Sequence, residues 1–151
     1  ATKSRLTAPV TAAVVHLATH GFLNASDVNE SYLLVAGSDS RLTNGDIYGL
    51  DFKNVSLVTL SACQTAEGDD RAPLGMSGTA LKARARSALG TLWPVSDRAA
   101  NRLMTNFYRL LSEGRGGKAQ ALRAAQVDLL DAPGLRHPFY WAPFLLLGDW
   151  Q

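Results

Sequence analysis

One cysteine, Cys63, is all the thiol chemistry that the 151 residues contain, so no disulfide can form within the chain. A lone thiol, with no signal-type apolar stretch at the start, points to a reducing compartment, most simply the cytosol. Long hydrophobic runs are missing too, since none approaches the ~18 residues that a membrane helix needs. Neither sign of charge dominates. Fifteen basic side chains stand against thirteen acidic ones, for a net charge of +2. They are interspersed without a basic stripe, so the pI of 8.9 does not amount to a nucleic-acid footprint. Repeats, low-complexity tracts and linker-like stretches are absent, which leaves one folding unit. Metal ligands are scattered, and no Gly-x-Gly-x-x-Gly follows a predicted strand, so no metal or dinucleotide cofactor is expected. Gly114-Arg-Gly-Gly-Lys118 lacks the Ser or Thr of a phosphate loop and joins two helical segments. Gly75-Met-Ser-Gly78 lacks the spacing of a nucleophile elbow.

What is present is enough apolar sequence, 46%, for a core that needs no covalent help; a chain this long buries roughly 68–70% of its unfolded surface. Ala12–Thr19 is a short run rich in β-branched residues, and reads as a strand buried on both faces. Val55–Ala62, Ala88–Trp93 and Phe144–Leu147 read as further strands, and Tyr32–Val35 as a shorter one at a sheet edge. Between them the period becomes helical. Ser96 is a good N-cap for a stripe of Ala100, Leu103, Met104, Phe107 and Leu111 that Gly114 ends. Lys118–Asp131 turns Ala121, Leu122, Ala125 and Leu129 inward and stops before Pro133. A third helix is predicted over 75–86, and a short one begins at Thr43, where Asp46 completes a capping box. Strands alternating with helices imply an α/β fold around a parallel sheet.

In such sheets functional groups gather beyond the carboxyl ends of the strands. Two of these ends carry reactive side chains, Thr19-His20-Gly21 and Ser61-Ala62-Cys63-Gln64. If the two strands are neighbours, an imidazole stands beside a thiol. A free thiol titrates near ~8.5, so at neutral pH it needs a nearby base to become a nucleophile. Gly21, without a Cβ, would let its N–H approach a developing oxyanion alongside that of Cys63. The plainer alternatives stand beside these readings. A lone cysteine in an apolar run is ordinarily inert and buried, and a strand-end histidine ordinarily bonds a loop carbonyl. His16, mid-strand, is expected in the core with one ring nitrogen bonded, and His137, before Pro138, in a structural turn. Ser61 and Asp97 are candidate pocket residues. Asp97, Glu67, Asp69 and Asp70 could read a basic substrate side chain, although loop acids are usually solvated and Asp97 also suits a helix N-terminus. Trp93 is a possible pocket wall, though a bulky residue there is more often core.

Four motifs together carry a family resemblance. Val15-His-Leu-Ala-Thr-His-Gly21, Leu60-Ser-Ala-Cys-Gln-Thr65, Gly90-Thr-Leu-Trp-Pro-Val95 and His137-Pro-Phe-Tyr-Trp-Ala-Pro-Phe144 resemble the signature of CHAT domains. These are caspase-like cysteine peptidase domains, found in bacteria and also in eukaryotes, and often joined to tetratricopeptide repeats. The match runs in order along the whole chain, and Ala1-Thr2-Lys3 resembles the stretch that precedes the family's histidine strand. The 43 residues from His20 to Cys63 agree with the ~50-residue caspase spacing. The Gln-Ala-Cys-x-Gly pattern of caspases is not met, since Ser61 and Thr65 flank the motif. Arg84 departs from the pattern at a place where glycine is expected, so it must point outward or displace its helix.

The resemblance implies a caspase-like three-layer sandwich with a mainly parallel sheet. His20 would be the general base and Cys63 the nucleophile that forms an acyl-enzyme, with Gly21 and Cys63 as backbone oxyanion donors and no cofactor required. It also implies that residues 1–151 are the C-terminal catalytic part of such a domain, lacking its first strands, so an unpaired apolar strand edge is expected. The expected partners are a peptide or protein substrate and a tetratricopeptide or upstream region of the same protein. Two other functions fit the same residues, a catalytically inactive interaction module and a thiol acyltransferase or esterase.

Overall fold

The four long apolar runs form one sheet, and the periodic segments between them form the helices that cover it. The computed structural model of the chain describes residues 2–7, 10–22, 24, 27–61, 72–114 and 116–151. Its elements, in chain order, begin with α1 (Lys3–Thr7), β1 (Val14–Leu17), β2 (Gly21–Phe22), β3 (Tyr32–Leu34), β4 (Arg41–Thr43) and α2 (Asn44–Tyr48). They continue with β5 (Leu57–Leu60), α3 (Ala72–Lys82), β6 (Ser87–Thr91), α4 (Asp97–Ser112), α5 (Lys118–Asp131), α6 (Pro138–Trp141) and β7 (Phe144–Gly148). A single 3-10 turn, Val28–Glu30, precedes β3. No helix among the described residues is long and apolar enough to cross a membrane.

The main sheet has the order β1-β5-β6-β7. Its first three strands are parallel and β7 returns antiparallel along β6. Every residue of β5 and β6 is buried, which is why these strands read as continuous apolar runs without alternation. Successive side chains leave a strand on opposite faces. Val58, Leu60 and Ala88 pack with Ile47 of α2 and with Met76 and Ala80 of α3. Leu57 and Leu89 pack on the other face with Ala99, Leu103 and Phe107 of α4 and Ala121, Ala125 and Leu129 of α5. The result is an α/β structure of three layers around an open, mostly parallel sheet. Local sequence starts the helices as expected: Ser96 caps α4, and Thr43 and Asp46 form a reciprocal capping box on α2.

Three expectations need correction. The first run is not buried on both faces, because β1 lies at the sheet edge with β5 as its neighbour. Val14 is 36% exposed, and only Leu17 of this strand is buried. Tyr32–Leu34 is not an edge strand of this sheet. It is the middle strand of a separate antiparallel sheet, β2-β3-β4, whose Leu33 and Leu42 are fully buried in the α3-side core. The third helix starts earlier and stops at Lys82 rather than at 86.

That stop has a local cause. The Arg84 N–H donates to the Leu81 carbonyl at 2.9 Å and the Ala85 N–H to the Ala80 carbonyl at 3.1 Å. Arg84 takes the left-handed conformation, with φ +74°. This is the Schellman arrangement, in which the residue after the C-cap is usually glycine. Glycine is therefore expected at 84 for its backbone freedom, not for close helix–sheet packing. The arginine side chain points outward, 62% exposed, and meets Asp51 at 2.7 Å. Arg84 also lies at the end of the sheet opposite the C-termini of the parallel strands, since the Arg86 N–H donates to the carbonyl of Val55, just before β5 begins.

Candidate active site

β1 and β5 are parallel neighbours in register, with Leu17, the last residue of β1, opposite Leu60, the last of β5. His20 stands three residues beyond the first strand end, and Cys63 three residues beyond the second. Cys63 itself lies outside the described residues, as do Glu67, Asp69 and Asp70, so the geometry concerns what surrounds its strand.

His20 is held by its backbone. Its carbonyl accepts the Leu34 N–H at 2.8 Å, and the Thr19 hydroxyl donates to the Leu34 carbonyl at 2.7 Å. These bonds clamp the chain where it leaves the main sheet for the small one. The His20–Leu34 bond makes that pair a hydrogen-bonded one, and in antiparallel ladders the next pair is of the unbonded kind. Gly21, opposite Leu33, therefore turns its N–H away from β3. Its position is buried.

A cavity of about 460 Å³ opens at this sheet edge. His16, Ala18 and His20 contribute from β1 and its extension, Ser61 from the end of β5, and α4 supplies one face from Asp97 to Tyr108. The structure thus brings His20, Ser61 and Asp97 to one cavity, on which Met104 and Ala100 are the main apolar walls. Asp97 is the acidic side chain among the described lining residues, and it is also the first residue of α4, where a carboxylate suits the helix dipole. Trp93 is instead tied to α6, its indole N–H donating to the Phe139 carbonyl at 3.0 Å. His137 behaves as a turn residue, its ring accepting the Phe139 N–H as the N-cap of α6.

His16 is the residue most misjudged from the sequence. One ring nitrogen is bonded, as expected, with Nε2 at 2.6 Å from Ser61 Oγ. The ring is not in the core, however, because β1 is an edge strand, and it lines the cavity. Partial burial holds its pKa below the ordinary histidine value. Tyr108 was missed as well. Its ring lies 5.6 Å from that of His16, and its hydroxyl donates to Thr59 Oγ1 at 2.8 Å. Burial raises the Tyr108 pKa and the Thr59 bond opposes this only in part. The available signals were the i, i+2, i+4 spacing of His16, Ala18 and His20 on one strand face and the spacing of Tyr108 from Met104 on the helix.

A family model described as the CHAT domain matches residues 1–149 of the 151. No curated protein matches the chain.

Proposed function

The chain belongs to the CHAT domain family, and from that premise we propose that it is a cysteine endopeptidase working through His20 and Cys63. The observation that carries this reading is the register of β1 with β5: along the chain, the two residues follow paired strand ends at equal distance. Cys63 Sγ attacks the scissile carbonyl carbon while His20 takes the thiol proton. The oxyanion is received by the N–H groups of Gly21 and Cys63, and the orientation of Gly21 away from β3 supports its part. Collapse breaks the peptide bond, and the departing amine takes the proton from His20. The remaining thioester is hydrolysed by a water that His20 deprotonates, which restores the thiol. The cavity beside His20 receives the side chain before the scissile bond, and the Asp97 carboxylate favours a basic one.

The test is labelling by a thiol-directed peptidyl probe, with cleavage of a peptide library as second readout. Cys63→Ala abolishes both and His20→Ala reduces them by about 10²–10⁴-fold, the usual worth of a general base. Equal labelling of all three proteins would count decisively against the proposal. For the pocket, Asp97→Asn loses the preference for Lys or Arg, and an unchanged library profile removes Asp97 from the reading.

A further inference from the structure

Four side chains from three elements close a ring beneath the cavity. His16 of β1 bonds Ser61 at 2.6 Å. Ser61 is two residues beyond Thr59 on the same strand face, Thr59 accepts the Tyr108 hydroxyl at 2.8 Å, and the Tyr108 ring returns to His16 at 5.6 Å. Thr59 is fully buried, and it is aligned with His16 across the two strands. A core of hydrocarbon would hold these elements together without desolvating the Thr59 and Tyr108 hydroxyls, so packing alone does not call for polar groups here. What they add is direction. A hydrogen bond fixes an angle and a distance, whereas apolar contact does not.

The place fixed is informative. Ser61 is the first residue after β5, and the chain reaches Cys63 two residues later. The His16–Ser61 bond supplies a tether at that point, reaching across from the neighbouring strand. Nucleophilic attack tolerates little misplacement, since the reacting atoms must meet at about 3–3.5 Å in line. We propose that His16 is a positioning residue of this site, which fixes through Ser61 the departure of the segment that carries Cys63. This rests on the reading of Cys63 as the nucleophile. His16 does not exchange a proton with the substrate. It is a neutral partner for the Ser61 hydroxyl, in keeping with the way burial disfavours its charged form.

The experiment compares wild type, His16→Ala, Ser61→Ala, the double variant and His16→Gln, whose amide nitrogen falls near the position of Nε2. Two readouts are taken on each folded protein: the pH midpoint of Cys63 alkylation by iodoacetamide, and the inactivation rate by a peptidyl probe. Both single variants move the alkylation midpoint upward by the same amount and slow probe inactivation about tenfold or more. The double variant goes no further, because the two residues act as one unit, and His16→Gln recovers part of the loss. Wild-type midpoints in both single variants, or losses that add in the double variant, overturn the proposal. Should His16→Ala fail to fold, Ser61→Ala and His16→Gln decide between the same outcomes. The two readings fail separately. A midpoint that depends on His16 in a protein that ignores the peptidyl probe supports this inference and sinks the peptidase. Probe labelling that depends on His20 but not on His16 or Ser61 does the reverse.

Discussion

Replacing Arg84 by glycine should stabilise the fold relative to its alanine counterpart. Arg84 holds φ +74° in the turn that ends α3, and this conformation costs a residue with a Cβ roughly 1–2 kcal/mol. Glycine relieves that strain but gains more freedom in the unfolded chain, which returns about 0.5–1 kcal/mol. The arginine also has an ion pair with Asp51 to lose, with the two side chains 62% and 46% exposed; an exposed pair of this kind is worth about 0–1 kcal/mol. The informative comparison is therefore Arg84→Gly against Arg84→Ala, since both lack the pair and differ only at the backbone. The glycine variant should be more stable by about 0.5–1 kcal/mol, and in an Asp51→Asn background it should exceed even the arginine form by a similar margin. Urea unfolding reads this as a midpoint shift of about 0.3–0.5 M at equal slope, and melting as about 1–4 °C. Labelling of Cys63 should not change, because Arg84 sits at the sheet edge opposite the cavity. A glycine variant no more stable than the alanine variant would refute the account of this turn.

Tyr108→Phe deletes the hydroxyl bonded to buried Thr59 and should lower the urea-derived stability by about 1–2 kcal/mol, with the ring contact to His16 left in place. Asp46 accepts from Lys3 and from both the backbone and hydroxyl of Thr43. Partial burial pushes its carboxyl upward, but those bonds outweigh it and hold it below the ordinary range. A depressed carboxylate adds stability above its unfolded pKa of about 3.9 and loses it as the pH falls through the folded value. The gap between wild type and Asp46→Asn should thus be about 0.5–1 kcal/mol at pH 7 and close in acid; a gap that is constant from pH 7 to pH 3 contradicts this. Gly148 ends β7 with φ +86°, and a Cβ there would run into the Arg86 carbonyl and the Leu81 side chain. Gly148→Ala should cost about 2 kcal/mol or more, and an unchanged melting temperature would deny the crowding.

The fold was legible wherever one physical cause dominated. β5 and β6 are buried on both faces, and their sequences show it as unbroken apolar runs. The α4 and α5 stripes predicted the buried residues Leu103, Phe107, Ala121, Ala125 and Leu129, because amphipathic helices on a sheet bury a single face. Legibility failed where tertiary position decided the matter. Ala12–Thr19 has the composition of a central strand, yet lies at an edge, and nothing in its own residues distinguishes the two places. β2 and β4 span two and three residues, too short for any period to register. The end of α3 was missed because the usual glycine signal is carried by an arginine, so the turn is written in backbone hydrogen bonds and not in residue type. His16 was misplaced for the same reason as its strand: the error about burial of β1 passed directly to the side chain upon it.

The proposed site depends on a sequence signal of a different kind. Parallel neighbours cannot be joined by a tight turn, so the chain must cross over between β1 and β5. Here the crossing is filled by the small sheet and α2, whose Leu33, Leu42 and Ile47 pack into the same core as Val58 of β5. The separation of 43 residues between His20 and Cys63 is thus set by how much structure that layer needs, and chemistry places no demand on it. Lengthening a loop within the small sheet, at 37–39 for instance, should change the separation and leave Cys63 reactivity unchanged. Strand-end position is different in kind. The register of Leu17 with Leu60 fixes where the two strands end, whatever lies between them, and on the proposed reading it is this that brings His20 and Cys63 together. Inserting one residue between Leu17 and His20 should therefore abolish probe labelling, even though it alters the separation by only one. If both insertions had equal effects, spacing rather than register would be what the site depends on.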